Sequence, residues 1–137
     1  NRLALEEYIN LLESKPEGLS ETCVIVVDID NFKFVNDQYG HIVGDQVITM
    51  IADQLRHNVR ASDLIVRYGG DEFLVVIESI EMNAAKAIAE SIRSGIFSVH
   101  DKFHRALVLS GFFFLKIARI FLNSSFFPKP IKRRIAI

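Results

Sequence analysis

The stretch RYGGDEFLVV, Arg67–Val76, places two glycines and two acids between residues that favour β-strand. Gly69 and Gly70 predict a two-residue hairpin loop, because the turns that suit a hairpin need positive φ angles that glycine adopts without strain. Asp71 and Glu72 would then lie at the mouth of the hairpin. Two acids beside such a turn are usually solvated, so a functional role for them needs support from the rest of the chain.

Hydrophobic periodicity predicts the other elements. Helices are predicted over Asn1–Leu12, Asn31–Gly40, Gly44–Val59 and Met82–Ile96, and strands over Thr22–Ile29, Leu64–Tyr68, Glu72–Ile77 and Arg105–Leu115. The run TCVIVVDI is continuously apolar and β-branched, which is typical of a central buried strand. This order of elements predicts an α/β sandwich (α+β) with a mainly antiparallel central sheet flanked by helices.

The composition is that of one folded domain, with 137 residues of which 50% are hydrophobic, and it excludes a disordered chain. The single cysteine, Cys23, cannot form an internal disulfide and is predicted to be a buried thiol in a reducing compartment. The apolar run Ala106–Leu115 is too short to span a bilayer, which takes about 20 residues. The chain starts at Asn1 rather than Met, which leads us to expect sequence upstream.

The net charge of −1 hides an abrupt change along the chain. All 17 acids lie within residues 1–101, whereas residues 102–137 hold 8 of the 16 basic residues and seven of the eleven phenylalanines. So sharp a change predicts two segments of different origin or role. We therefore expect a domain over residues 1–115 and an atypical basic, Phe-rich tail over residues 116–137.

A second group of acids lies in VIVVDIDNFKFVND. Alternation along a strand places Asp28 and Asp30 on one face, with Asp28 at the end of the buried strand. If that strand pairs with the strand that starts at Glu72, then Asp28, Asp71 and Glu72 converge at one edge. Carboxylates that lie so near to one another repel unless a cation lies between them. Mg²⁺ is typically bound by one or two carboxylates together with substrate phosphates.

A helix is predicted to begin directly after Asp30, so the amides of Asn31, Phe32 and Lys33 would point outward from its N-terminus. Such an end binds phosphate, and Lys33 adds a positive charge. Acids for a metal beside amides for phosphate predict a nucleoside triphosphate site.

The run DIDNFKFVNDQYGHIVGD, followed by RYGGDEF, closely resembles the GGDEF domain of bacterial diguanylate cyclases. The resemblance covers residues 1 to about 100, and Asn1-Arg2 resembles the end of the LTGL-x-NR motif that opens the domain. It implies a nucleotide-cyclase-like GGDEF fold and a reaction of bacterial second-messenger signalling. Two GTP condense to cyclic di-GMP with release of pyrophosphate, in a head-to-tail homodimer that requires Mg²⁺ (or Mn²⁺).

The resemblance also implies roles for individual residues. The carboxylate of Asp28, the backbone carbonyl of Ile29 and the carboxylate of Asp71 would bind the metal. Asp71 or Glu72 would help to deprotonate the attacking 3′-hydroxyl, and Lys33 would stabilise the phosphate charge.

The substrate-binding residues implied are Asn31, Phe32, Asn36, His41, Asp45, Gly69 and Gly70. Asn36 and Asp45 would recognise the guanine, with His41 nearby. A carboxylate can accept from guanine N1–H and the exocyclic amine together, and adenine offers no such pair of donors. The alternative for Asp45 is a helix N-cap.

The run RASD contains Arg60 and Asp63, which resemble the Arg-x-x-Asp product-binding inhibitory site of many family members. Arginine suits a phosphate or a guanine edge, because it can donate two parallel hydrogen bonds. A surface ion pair would have the same sequence pattern, so both readings stay open.

The C-terminal part departs from the family. The family has a helix resembling AD-x-ALY-x-AK-x-x-GRN, whose Lys and Arg reach the GTP phosphates, and this chain has none. The alternative function is therefore a catalytically impaired relative that binds GTP or cyclic di-GMP as a regulatory module; a tail that meets lipid or a partner is a weaker third reading. We expect GTP and cyclic di-GMP as ligands, no nucleic acid, an upstream sensory domain, and a cytoplasmic location that allows attachment to a membrane-bound sensor.

Overall fold

The computed structural model describes residues 2–14, 22–107, 115–116 and 120–122. The helices are α1 (Arg2–Glu13), α2 (Phe32–Tyr39), α3 (His41–Asn58) and α4 (Met82–Leu107). The strands are β1 (Cys23–Ile29), β2 (Leu64–Arg67), β3 (Glu72–Ile77), β4 (Leu115–Lys116) and β5 (Ile120–Leu122). Within these ranges, every helix is too short or too polar to cross a bilayer.

The strands form one sheet in which all pairs are antiparallel. β3 lies between β2 and β1, and both β4 and β5 pair with the other side of β1. The register of β1 and β3 runs from Cys23 opposite Ile77 to Asp28 opposite Glu72. The prediction of a mainly antiparallel sheet flanked by helices is confirmed, and β1 occupies the centre, as its apolar sequence indicated.

One hydrophobic core lies between the sheet and helices α2, α3 and α4. Because side chains alternate along a strand, every second residue of β1 enters it, and Ile25 and Val27 are fully buried there. The helices contribute residues at helical spacing, among them Ile51 and Leu55 from α3 and Ile92 from α4. This core fixes the helices that carry one side of the candidate site.

A smaller second core lies on the opposite face of the sheet, under α1. Its members alternate with those of the first core and include Val24 from β1, Leu74 from β3, and Leu5 and Leu12 from α1. At its edge the hydroxyl of Tyr8 donates a hydrogen bond to the carboxylate of Glu78, 70 residues further along the chain. The sheet is thus covered on both faces, which is why β1 and β3 read as continuous apolar runs.

Two helices are longer than predicted. α3 begins at His41, three residues before the predicted start, after Gly40, which has a φ of 83°. α4 continues past Ile96 to Leu107, so the predicted strand Arg105–Leu115 is wrong over its first three residues. The reason is that residues 97–107 contain neither glycine nor proline to end the helix.

The remainder of that predicted strand, residues 108–114, lies outside the described residues, and Leu115 belongs to β4. Within the expected tail, Ile120 pairs with Ile25 and Leu122 pairs with Cys23. Residues 123–137, with most of the basic charge of the tail, also lie outside the described part. The division between domain and tail at residue 115 stays a prediction.

Candidate active site

Asp28 and Glu72 lie directly opposite each other at the end of the β1–β3 ladder. Residues in direct register share a face of the sheet, with β-carbons about 4.5–5.5 Å apart. Both residues are half-buried. Like charges in this position are destabilising, so the pair is costly in a protein that does not use it.

Asp71 is held beside the same strand end by the main chain. The amide of Ile29 donates a hydrogen bond of 3.1 Å to the carbonyl of Asp71. The backbone therefore brings Asp28, Asp71 and Glu72 to one edge, as predicted. However, within the described part of the chain no three or more His, Cys, Asp or Glu side chains form a group that could hold a metal ion. Any metal would rely on fewer carboxylates, together with other oxygen donors.

The turn between β2 and β3 differs from the prediction. Neither Gly69 nor Gly70 has a positive φ, so the expected two-residue primed turn is wrong. The amides of Tyr68 and Gly69 instead donate to the carbonyl of Glu72, at 2.8 and 3.3 Å. These bonds fold residues 68–71 into a longer loop.

The glycine at position 69 has a steric role. A β-carbon built there would lie 2.8 Å from Oε2 of Glu72, so the absence of a side chain leaves room for that carboxylate. The guanidinium of Arg67 donates a 2.7 Å hydrogen bond to the carbonyl of Gly70 and closes the loop. The sequence does not predict this contact, because a strand pattern alone does not show where the side chain of Arg67 points.

The N-terminus of α2 lies directly after β1. Asn31 precedes the helix in the left-handed region, with φ 58° and ψ 25°, and its side chain makes no capping hydrogen bond. Phe32 is 9% exposed and anchors the helix in the first core, whereas Lys33 is exposed. The first amides of a helix have no partner within it and carry its positive dipole end. The predicted phosphate-binding element is thus next to the acids in the chain.

Asn36 lies on α2, whereas His41 and Asp45 lie on the following helix, α3. His41 is the first residue of α3 and is exposed, as is Asp45. Because Gly40 occupies the N-cap position, the alternative role of Asp45 as a helix N-cap is wrong. The side chain of Asn36 lies against Gly44, the residue before Asp45. The structure therefore places Asn36 against the residue that precedes Asp45.

Arg60 and Asp63 form a tight turn before β2. The amide of Arg60 donates a 2.7 Å hydrogen bond to Oδ2 of Asp63, and the amide of Asp63 donates one of 3.1 Å to the carbonyl of Arg60. Asp63 is 7% exposed, whereas Arg60 is exposed. Arg56 also reaches the carbonyl of Asp63, at 3.4 Å. A simple surface ion pair does not describe this arrangement, because the carboxylate is buried and bonded to the main chain.

The comparisons with known proteins identify the family. The family model for the diguanylate cyclase GGDEF domain matches residues 1–109, so the chain belongs to the GGDEF-domain family. The probable diguanylate cyclase DgcT of Escherichia coli strain K12 is 47% identical over 74 residues, 54% of this chain and 16% of that protein. The bifunctional diguanylate cyclase/cyclic di-GMP phosphodiesterase MucR of Pseudomonas aeruginosa is 48% identical over 93 residues, 67% of this chain and 14% of that protein.

Solved structures show the same fold. The GGDEF domain of DgcB from Caulobacter crescentus, in complex with c-di-GMP, has a TM-score of 0.62 and 33% identity over 68% of this chain and 55% of that one. The active GGEEF domain of a diguanylate cyclase from Vibrio cholerae has a TM-score of 0.62 and 29% identity over 88% of this chain and 70% of that one. The chain spans only 16% and 14% of the length of DgcT and MucR. The predicted family and fold are confirmed.

Proposed function

We propose that this chain is a diguanylate cyclase domain that condenses two GTP into cyclic di-GMP with release of pyrophosphate. The observation that carries the proposal is the register of β1 and β3, which places Asp28 opposite Glu72 while the main chain ties Asp71 to Ile29. Asp28 also lies close to the N-terminus of α2 in the chain, because β1 ends at Ile29 and α2 begins at Phe32. Acids beside a phosphate-binding helix end suit a reaction that depends on positioning and on neutralising charge.

The residues at this edge fit Mg²⁺ (or Mn²⁺). Asp28 and Asp71 offer carboxylates and Ile29 offers a carbonyl oxygen, which are the hard donors that Mg²⁺ prefers. Two carboxylates suffice for this ion when substrate phosphates complete its shell, so the lack of a cluster of three acids among the described residues is no obstacle. When bound, the ion would neutralise the charge that develops on the attacking and leaving oxygens.

The chain's own residues would bind and orient GTP. The amides that open α2, those of Phe32 and Lys33, would donate to the phosphates, and Asn31 precedes them. The exposed ammonium group of Lys33 would stabilise the negative charge during transfer. Asp71 or Glu72 would accept the proton of the 3′-hydroxyl that attacks the second GTP.

Recognition of the base would fall to the junction of α2 and α3. Asn36 and the exposed Asp45 would pair with the polar edge of guanine, with His41 nearby. Gly69 would leave room for the carboxylate of Glu72, and Gly70, where a β-carbon would have no atom within 4 Å, would let a ligand approach the backbone.

The product and the partners belong to the same proposal. Each site holds one GTP, so joining two of them requires two copies of the domain, which we propose form a homodimer. Cyclic di-GMP would bind at Arg60 and Asp63, because Arg60 is exposed and the buried Asp63 holds its amide in the turn. A sensory domain upstream and a cytoplasmic location, where GTP is available, complete the proposal.

Synthesis of cyclic di-GMP by the purified protein is the direct test. The protein is incubated with GTP and Mg²⁺, and the products are separated by chromatography and identified by mass spectrometry. We expect cyclic di-GMP once the missing C-terminal helix of the family is added to the chain, and none when Asp71→Ala is introduced into that protein. Asp53→Ala, which removes an exposed acid far along α3, is the matched control and should keep the natural activity.

Two outcomes separate the proposal from its alternative. Tight GTP binding without any product would favour the regulatory module, which the missing family helix suggested. Full activity of Asp71→Ala would show that the acids at this edge do not perform the chemistry.

A further inference from the structure

Gly44 lies inside helix α3, where glycine is the least favourable residue after proline. Its φ is not positive, so no special backbone conformation requires a glycine there. It is buried, and its amide donates to the carbonyl of Gly40 at 3.2 Å, as a helical residue does. The reason for a glycine must therefore lie in what surrounds its α-carbon.

The space that a side chain would need is filled by Asn36. A β-carbon built on Gly44 would lie 1.9 Å from Oδ1 of Asn36 and 3.0 Å from Cγ of the same residue. The next nearest atom is Cζ of Phe32, at 3.3 Å, which is tight but tolerable. An alanine at position 44 would therefore push away the amide group of Asn36 before anything else.

We propose that Gly44 is a positioning residue for base recognition, which holds the carboxamide of Asn36 in place because it has no side chain of its own. This inference rests on the proposed function, in which Asn36 pairs with guanine. The carboxamide of Asn36 can both donate and accept hydrogen bonds, so its ability to distinguish guanine from adenine depends on its orientation. Gly44 acts on the base through Asn36.

The test compares Gly44→Ala with Gly95→Ala. Gly95 lies inside α4, and a β-carbon there would lie 2.6 Å from Oε1 of Gln54, so its alanine variant also displaces a side-chain amide in a helix. Both substitutions raise helix propensity equally. Affinities for GTP and for ATP, each with Mg²⁺, are measured by titration calorimetry. We expect Gly44→Ala to reduce the preference for GTP by roughly tenfold, the value of about one hydrogen bond, and Gly95→Ala to leave it unchanged.

A double-mutant cycle shows whether Gly44 acts through Asn36. In an Asn36→Ala background, Gly44→Ala should cause no further loss of preference, because there is no amide left to displace. A further loss of the same size in that background would overturn the proposal. If Gly44→Ala fails to fold, the double variant should fold again; a double variant that stays unfolded would place the conflict elsewhere and would equally overturn it.

The guanine site of the proposed function and the positioning role of Gly44 would be refuted by different results. If the natural protein binds GTP no better than ATP, or if Asn36→Ala keeps the preference for GTP over ATP, the assignment of the guanine site is refuted. The role proposed for Gly44 is then refuted as well. If Asn36→Ala loses the preference while Gly44→Ala behaves like Gly95→Ala, the guanine site stands and only the role of Gly44 is refuted.

Discussion

Replacing Asp63 by alanine should destabilise the protein, even though the sequence pattern assigns Asp63 to a ligand site. Asp63 is 7% exposed, and its carboxylate accepts a 2.7 Å hydrogen bond from the amide of Arg60. That bond is formed by an ionised acceptor, and it stabilises the turn that leads into β2. Asp63→Ala removes the acceptor and leaves the amide of Arg60 without it.

The size of the effect follows from the burial of the carboxylate. A hydrogen bond to a charged group contributes about 1.5–3 kcal/mol. Because this hydrogen bond is only partly buried, the lower end of that range, about 1.5 kcal/mol, is expected. Urea unfolding with a slope of about 1.5 kcal/mol per molar would then show a midpoint lowered by about 1 M.

Arg60→Ala is the matched control for this prediction. It removes an exposed side chain but keeps the amide that bonds to Asp63, so its effect should stay within about 0.5 kcal/mol. Asp63→Asn, which keeps an acceptor oxygen, should fall between the two. If Arg60→Ala were as destabilising as Asp63→Ala, the guanidinium would be the true partner of the carboxylate and the reasoning would be refuted.

Three further predictions concern binding, pH and thiol reactivity. Calorimetry with cyclic di-GMP should show binding that Arg60→Ala removes and Asp71→Ala keeps; equal binding by the natural protein and Arg60→Ala would contradict the product site. Burial, together with the hydrogen bond and charge of Glu78, raises the pKa of Tyr8 above its ordinary value of about 10. The hydroxyl of Tyr8 therefore loses its proton at a lower pH in the unfolded chain than in the folded protein. The free energy of unfolding should fall as pH rises above about 10, and this fall should be smaller in Tyr8→Phe. Burial raises the pKa of Cys23 to about 11, so its alkylation at pH 8 should be far slower in the native protein than in urea, and equal rates would show that the thiol is accessible.

The sequence contained enough to predict β1, β2 and β3, but it placed the fourth strand too early in the chain and missed β5. It also showed only part of how the strands meet. β1 and β3 are apolar at nearly every position, and such runs are typical of strands covered on both faces. The prediction assumes that β1 pairs with β3, because hydrophobic periodicity does not show which strands are neighbours in a sheet. The register that sets Asp28 opposite Glu72 is a property of the folded chain.

Local motifs failed where tertiary contacts decide the conformation. The sequence of Gly69 and Gly70 is typical of a primed turn. In the structure the carbonyl of Glu72 accepts hydrogen bonds from the amides of residues 68 and 69, and a different loop results. The contact between Tyr8 and Glu78 spans 70 residues and leaves no local signal. Gly44 left no such signal either, because the pattern places it at the start of the predicted helix, and only the observed start at His41 puts it inside α3.

The hairpin that carries Asp71 and Glu72 is held by main-chain hydrogen bonds and by the guanidinium of Arg67. The amides of Tyr68, Gly69 and Ile29 donate to the carbonyls of residues 72 and 71, and none of these bonds uses an acidic side chain. A glutamate at position 71 would leave all three bonds in place, and the Vibrio cholerae domain carries a GGEEF motif on the same fold. An inactivated copy of the domain should likewise keep its shape and remain able to acquire a binding role. The geometry of this loop therefore does not depend on the acidic side chains that we propose for the chemistry.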